Sequence, residues 1–209
     1  MRTNNGQILY IPRIGQRANL QHPLMKGCVG WWPLTDGGGG IAKDITSNAN
    51  DGTGQGGVNW DSSTIGTVFA SDKTVDSYFV SNFSASGQSA FSISFWFSYN
   101  FDGDNPTGWN GLFRNGDSSN NLFQCYHHNT DHELRFSIAT SGGGTGFNTA
   151  QAGSWVANTF YYAVFTFDGT TGKVYLNGSE QSSGSHSNPG NVKTVASMPF
   201  NIGTGVIPP

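Results

Sequence analysis

The amino-acid sequence predicts an all-β protein, an antiparallel two-sheet sandwich, and three observations lead to that prediction. Short apolar segments recur along the chain and are separated by Gly, Asn and Asp, as in strands joined by tight turns. The 209 residues include 30 glycines, and 13% of them are aromatic, which suits a core filled by aromatic side chains between two sheets. No segment shows the 3.6-residue period of a helix, and only two glutamates are present.

Strands are predicted wherever a short apolar segment lies between turn residues. In chain order, the predicted strands are 29–34, 68–70, 77–80, 91–99, 111–114, 121–127, 134–139, 160–167 and 173–176. Segment 91–99 alternates in character, which places on one face Phe91, Ile93, Phe95, Phe97 and Tyr99. The opposite face then carries Ser92, Ser94, Trp96 and Ser98. We therefore expect a long central strand with one dry face.

Turn residues predict two hairpins. Strands 160–167 and 173–176 are joined by a segment that begins Asp168-Gly169, and Asp-Gly between two strand patterns is a strong hairpin signal. Segment 129–131 (Asn-Thr-Asp) joins the strands 121–127 and 134–139 in the same way. Asn177-Gly178 predicts another tight turn.

Charge is divided unevenly along the chain. Residues 1–35 carry four basic residues and no acidic residue, a net charge of +4. Residues 36–209 carry six basic and 13 acidic residues, a net charge of −7. We predict a basic N-terminal arm over residues 1–26 that docks on an acidic surface, ahead of a domain over residues 27–209. The negative balance of the domain argues against nucleic acid as its partner.

Targeting and redox signals are weak in this chain. No N-terminal apolar run resembles a signal peptide, and no apolar segment is long enough to cross a bilayer, so no membrane partner is expected. Two cysteines are too few for a disulfide framework. Cys28 is expected to act as a small buried hydrophobe.

Residues 27–53 resemble the opening of a known domain family. Gly-Cys-Val-Gly-Trp-Trp-Pro-Leu at 27–34, followed by a glycine loop and an Asp/Asn-rich turn, is similar to the first strand and loop of LamG-like (laminin G-like, concanavalin A-like) jelly-roll domains. Strand 91–97, the hairpin at 160–178 and Pro-Phe-Asn-Ile-Gly at 199–203 resemble further family landmarks in the same order. The resemblance implies a LamG-like jelly roll.

Two details of the resemblance affect the expected function. The opening at 23–34 is similar to that of LamG-like domains in phage structural proteins. The final strand of the family has no counterpart after Gly203. We therefore expect either a fragment or a sheet completed by a strand from a neighbouring chain.

A calcium site is one candidate, because calcium takes oxygen ligands from irregular loops. The candidate ligands match the polar loop of the family, which often holds a structural ion in related domains, and they are Asp44, Asn48, Asn50 and Asp51. The alternative is turn chemistry, in which Asp and Asn bond to the neighbouring backbone. Both interpretations remain open.

A sugar platform is a second candidate, because an exposed aromatic ring stacks on the face of a sugar while amides and carboxylates bind its hydroxyls. Trp60, Trp109 and Trp155 lie among turn residues, whereas the other three tryptophans lie in predicted strands. Trp109, with Asn110 and Asp117 beside it, is the preferred candidate. Packing of Trp109 over an edge of the core is the alternative.

The residues needed for glycoside hydrolysis are not apparent. Glucanases of this fold carry Glu-x-Asp-x-x-Glu on one strand, where alternation directs the carboxylates to the same cleft. The two glutamates here, Glu133 and Glu180, lie at turns and form no such pattern. We expect no enzymatic activity.

Two functions remain open from the sequence. The first is a virion surface or tail-associated structural protein, whose arm binds capsid or tail proteins and whose domain contacts host or surface glycans. The second is a lectin-type, calcium-dependent or calcium-independent, carbohydrate-binding module of a larger extracellular protein. A second copy of the chain, giving a homo-oligomer, is also considered as a partner.

Overall fold

The protein is built from β-strands. The computed structural model describes residues 3–4, 7–8, 19, 21–71, 77–100, 110–116, 121–128, 131–143, 145–150, 155–195 and 198–203. Within these ranges the only helical element is a single 3₁₀ turn at Pro23–Met25, and the prediction of an all-β antiparallel fold is confirmed. No helix in the same ranges has the length and apolarity needed to cross a membrane.

Sixteen strands lie in the described part of the chain, numbered here in chain order. They are β1 (Thr3–Asn4), β2 (Gln7–Ile8), β3 (Ile41–Ala42), β4 (Gly52–Gln55), β5 (Asn59–Ser63), β6 (Gly66–Ala70), β7 (Tyr78–Ser81), β8 (Phe91–Phe97), β9 (Asn110–Gly116), β10 (Asn121–His127), β11 (Leu134–Ala139), β12 (Thr145–Ala150), β13 (Tyr161–Phe167), β14 (Thr171–Leu176), β15 (Ser179–Ser185) and β16 (Phe200–Ile202).

Two large sheets and two hairpins contain these strands. The eight-stranded sheet has the order β12-β11-β10-β9-β16-β7-β4-β3, and the four-stranded sheet has the order β15-β14-β13-β8. β1 pairs with β2 and β5 pairs with β6 as separate hairpins. Neighbouring strands are antiparallel throughout the described sheets.

Aromatic side chains hold the two large sheets together. Phe95 of β8 contacts Phe113 of β9 edge to face, with ring centroids 5.1 Å apart. Phe136 of β11 and Phe165 of β13 stack at 5.0 Å and 13°, and each is only 1% exposed. Burying each such ring stabilises the fold by about 1.5–3 kcal/mol. The alternation predicted for β8 is confirmed, because its phenylalanines and Ile93 pack on the core while Ser92, Ser94 and Trp96 are exposed.

The hairpin predicted at Asp168-Gly169 is also confirmed. β13 and β14 pair in antiparallel register up to Phe167 and Gly172. The Asp168 carboxylate accepts hydrogen bonds from the backbone N–H groups of Thr170 and Thr171, at 2.9 and 2.7 Å. The bonds from Thr171 and then Thr170 lower the pKa of Asp168, because they favour its ionised form.

The predicted first strand, 29–34, is wrong, since the segment forms no ladder. The Trp31 N–H donates to the Asp44 side chain at 3.0 Å, and the Trp31 carbonyl accepts from the N–H of Ile45 at 3.0 Å. Leu34 has φ of 53°, outside the β region. A loop rather than a neighbouring strand therefore takes both backbone hydrogen bonds of Trp31.

Candidate functional site

Two aromatic rings lie in contact on the outer face of the four-stranded sheet. Alternation along β8 turns Trp96 away from the core, and its side chain is 54% exposed. The register of β8 and β13 places Tyr162 directly opposite Trp96. The ring centroids are 5.1 Å apart, and the ring planes are inclined at 38°. We call Trp96 and Tyr162 the aromatic platform.

Tyr162 is positioned through its backbone by the turn that follows β14. The N–H of Tyr162 donates to the side-chain oxygen of Asn177 at 2.9 Å, and its carbonyl accepts from the N–H of Asn177 at 2.8 Å. Asn177 and Gly178 both have positive φ, at 50° and 87°, as a tight hairpin turn between β14 and β15 requires. This turn therefore holds β13 on the side opposite to β8.

Hydroxyl groups adjoin the platform on the same face. Ser94 lies opposite Val164, and Ser92 lies opposite Thr166. Tyr175 of β14 lies opposite Val164 and extends the aromatic surface away from β8. The face therefore presents one exposed indole and two half-buried phenol rings beside uncharged hydrogen-bonding groups.

The four strands of this sheet carry one acidic and one basic side chain. Lys173 Nζ lies 3.2 Å from Glu180 Oε2. Their hydrogen bond raises the pKa of Lys173 and lowers the pKa of Glu180, so that both stay charged at neutral pH. The outer face consequently has no net charge from these strands.

This arrangement is suited to recognising a ligand with both apolar and hydroxylated surfaces. An exposed indole in contact with a phenol offers a large apolar area at little cost in side-chain entropy. Apolar side chains that form one contiguous exposed patch commonly mark an interaction site. Sugars fit this chemistry, because one face of the ring bears C–H groups and its rim bears hydroxyls.

A second cluster of interest is the loop at 44–51, where Asp44 is 7% exposed. Its Oδ1 accepts hydrogen bonds from the N–H groups of Trp31 and Thr46, at 3.0 and 2.9 Å. Its Oδ2 accepts from Thr46 Oγ1 at 2.9 Å and from the N–H of Asn50 at 3.0 Å. Both carboxylate oxygens are thus engaged by donors of the protein itself.

The other candidate calcium ligands are engaged in the same loop. Asp51 accepts from the N–H of Asp44 at 3.0 Å and pairs with Lys43. Asn48 Nδ2 donates to the carbonyl of Val29 at 2.9 Å. No group of three or more His, Cys, Asp or Glu side chains suited to a metal ion occurs in the part of the chain that the structure describes. This geometry favours the turn-forming interpretation, and calcium binding stays a prediction.

The protein-family model for the concanavalin A-like lectin/glucanases superfamily matches residues 70–206, which is more than half of the chain. The chain belongs to this superfamily. No curated protein matches it in sequence. The resemblance of the sequence to LamG-like, concanavalin A-like jelly rolls is therefore confirmed, whereas nothing in these comparisons shows a phage protein.

Solved structures of low sequence identity share the superfamily fold. Domain 4 of AbnA, an extracellular arabinanase from Geobacillus stearothermophilus solved with arabinotriose, has a TM-score of 0.57 and 20% identity over 80% of each chain. The binding domain of Paraclostridial Mosquitocidal Protein 1 has a TM-score of 0.60 and 16% identity. That match covers 78% of this chain and 41% of the toxin domain.

A structure of botulinum neurotoxin type C, a toxin whose cell entry depends on interaction with two ganglioside molecules, has a TM-score of 0.57 and 13% identity. The match covers 80% of this chain and 41% of the neurotoxin chain. This superfamily member thus spans about two fifths of the length of the toxin domains that it resembles. At these identities the likeness concerns the fold.

Of the predicted glycan-binding residues, Trp109 and Asp117 lie outside the described residues. Asn110 begins β9, where its backbone pairs with His127 of β10 in the eight-stranded sheet. The Nδ2 atom of Asn110 is buried and finds no hydrogen-bond partner among the described residues. Asn110 therefore belongs to a different sheet from the aromatic platform, and a site around Trp109 stays a prediction.

Turn context proved a poor guide to the exposure of tryptophans in this superfamily member. Trp155, placed among turn residues, is 3% exposed and contacts Tyr161 at 5.0 Å. Trp60 lies in β5, and its Nε1 donates to the carbonyl of Gly39 at 3.0 Å. Trp96, placed in a strand, is the most exposed tryptophan among the residues that the structure describes. The signal that could have found it is its position on the serine-bearing face of β8.

Proposed function

We propose that this domain is a non-catalytic glycan-binding module that holds a sugar ring on the aromatic platform. The observation that carries the proposal is the contact between Trp96 and Tyr162 on an outer sheet face, with Trp96 54% exposed. Membership of a lectin and glucanase superfamily supports it, as does the complex of a similar domain with arabinotriose. Stacking of a sugar on the two rings would exclude water from them and bring its hydroxyls beside Ser94.

A binding screen tests this proposal. The purified chain is applied to an array of neutral and acidic glycans that includes arabinotriose and ganglioside headgroups, once with calcium and once with a chelator. Trp96→Ala should lower the affinity for every bound glycan by at least about tenfold, which corresponds to loss of about 1.4 kcal/mol. The chelator arm separates the platform from a calcium-dependent site.

Trp31→Ala is the matched control for that screen. Trp31 is also an exposed tryptophan, at 38%, but its backbone bonds to the 44–50 loop rather than to β8 or β13. Its replacement should leave glycan affinity unchanged. Equal losses in the two variants, or full affinity in Trp96→Ala, would count against the platform.

A second proposal concerns the N-terminal residues. We propose that the basic arm, residues 1–26, fixes the domain to the acidic surface of a virion capsid or tail, so that the glycan-binding face points outward. The support is the charge of +4 on residues 1–35 beside −7 on the remainder. Deleting residues 1–26 should prevent incorporation into particles and leave glycan affinity intact. If the chain is instead a module of a larger extracellular protein, it should be absent from particles with or without residues 1–26, and its glycan affinity should again stay intact.

A further inference from the structure

We infer that the aromatic platform binds an uncharged, linear oligosaccharide of two or more sugar rings, which extends along β8 from Trp96 towards Ser92. This inference rests on the proposed glycan-binding function and specifies the ligand class of the same site. Three observations lead to it: the exposed indole with its half-buried phenol neighbour at one end of β8, the hydroxyls that continue from them, and the charge balance of the face.

The hydroxyl row gives the ligand its direction and minimum length. Trp96, Ser94 and Ser92 lie on one face of β8 at two-residue intervals, so the row extends about 14 Å from the indole. Both serines are exposed, and no hydrogen bond joins either hydroxyl to another of the described residues. A ligand that occupied the platform alone would leave this row unused.

Each serine hydroxyl can both donate and accept, as can each hydroxyl of a sugar. Thr166 lies opposite Ser92 on β13 and adds a further hydroxyl at the far end of the row. Val164 lies opposite Ser94 and provides an apolar surface between the platform and that end. Along β8 the ligand would therefore meet the aromatic rings first, then an apolar side chain, and then a pair of hydroxyls. This order suits several consecutive sugar units rather than a single one.

The charges on the face select against an acidic ligand. Lys173 lies opposite Thr166, which in turn lies opposite Ser92. The backbones of Lys173 and Ser92 are therefore two strand spacings apart, or about 9.6 Å. Its ammonium group is paired with Glu180 at 3.2 Å. No other cation belongs to the four strands of this fully described sheet. A sugar carboxylate placed along β8 would lose hydration without gaining a partner.

A length series tests the inference. Neutral cello-, xylo-, manno- and arabino-oligosaccharides of one to six units are measured by titration calorimetry, with oligogalacturonides as the acidic match. In at least one neutral series, the affinity should rise at least tenfold from the monosaccharide to the trisaccharide. Trp96→Ala should weaken binding of every member, whereas Ser92→Ala should weaken binding of the trisaccharide about two- to tenfold and leave the monosaccharide unchanged.

Ser183→Ala is the matched control, since Ser183 is an exposed serine of the same sheet on β15, opposite Lys173 and away from β8. It should alter no affinity. Trp96-dependent binding that does not depend on length, that Ser92→Ala does not affect, or that prefers the oligogalacturonides overturns this inference and leaves the glycan-binding function standing. Absence of Trp96-dependent binding across all the series and the array overturns both.

Discussion

At the scale of single residues, the environment of a tryptophan decides its role in this protein. Trp32 packs on Phe200 and Phe83, with ring centroids 5.4 and 5.9 Å apart, and adjoins the core. Trp96 contacts Tyr162 and faces solvent. Both were assigned to strands from the sequence, and only Trp96 occupies one. The presence of a tryptophan therefore predicts an aromatic contact, but it does not predict whether the ring packs on the core or faces solvent.

Asp44 is predicted to stabilise the domain by organising the 44–51 loop. Asp44→Ala would remove an acceptor of four hydrogen bonds and leave partly buried N–H groups unpaired. We expect the free energy of unfolding to fall by about 2–3 kcal/mol, measured by urea denaturation. Asp61→Ala is the control, because among the described residues this exposed carboxylate accepts only a local bond from Ser62. Similar losses in both variants would contradict the role of Asp44.

The same variant bears on calcium. If calcium binds this loop, the wild-type melting temperature should rise when calcium replaces chelator, and Asp44→Ala should not show the rise. If the loop is held by its own hydrogen bonds alone, the two buffers should give equal melting temperatures for the wild-type protein.

At the scale of secondary structure, strands built on apolar segments were predictable and polar strands were not. The bounds of β10 and β11 agree with the predicted segments 121–127 and 134–139. β15, with the sequence Ser-Glu-Gln-Ser-Ser-Gly-Ser, has no apolar alternation and was not predicted. It forms because the turn at Asn177-Gly178 returns the chain alongside β14. Hydrogen bonds to β14 thus hold β15 in a strand conformation that its own residues do not favour.

The turn at Gly178 offers a prediction about backbone conformation alone. Gly178 has φ of 87°, and an added Cβ would have open space, so Gly178→Ala would act through strain without a clash. We expect a loss of about 1–2 kcal/mol in the free energy of unfolding. Gly38→Ala is the matched control for Gly178→Ala. An added Cβ at Gly38 also meets open space, but the φ of Gly38 lies outside the left-handed region.

Gly38→Ala should be neutral or stabilise the protein by up to about 1 kcal/mol, since alanine reduces the freedom of the unfolded chain. Chemical denaturation of both variants under the same conditions provides the comparison. Equal effects at the two positions would show that the turn conformation at Gly178 does not limit stability.

At the scale of the whole molecule, the sandwich separates stability from binding by the two faces of one sheet. Phe165 faces the eight-stranded sheet and is 1% exposed, whereas Trp96 faces outward. Phe165→Ala should cost about 3–5 kcal/mol of stability through the cavity left beside Phe136. Trp96→Ala should change stability by less than about 1 kcal/mol and yet weaken glycan binding by at least about tenfold.

Denaturant titrations and glycan binding, measured on the same two preparations, check this separation. A large destabilisation by Trp96→Ala would indicate that the platform is a structural element. Preserved stability in Phe165→Ala would contradict the packing of the two sheets through the Phe136–Phe165 stack.

The local pattern of residues was sufficient for the sandwich, for the dry face of β8 and for the hairpin at Asp168, because side-chain alternation and turn conformation depend on neighbouring residues. The partner of each exposed or buried group required the folded chain. Tyr162 meets Trp96 only through the register between β8 and β13, and Asp44 replaces a strand as the partner of Trp31. Such contacts join residues distant in sequence, so their geometry follows from how whole strands and loops are placed.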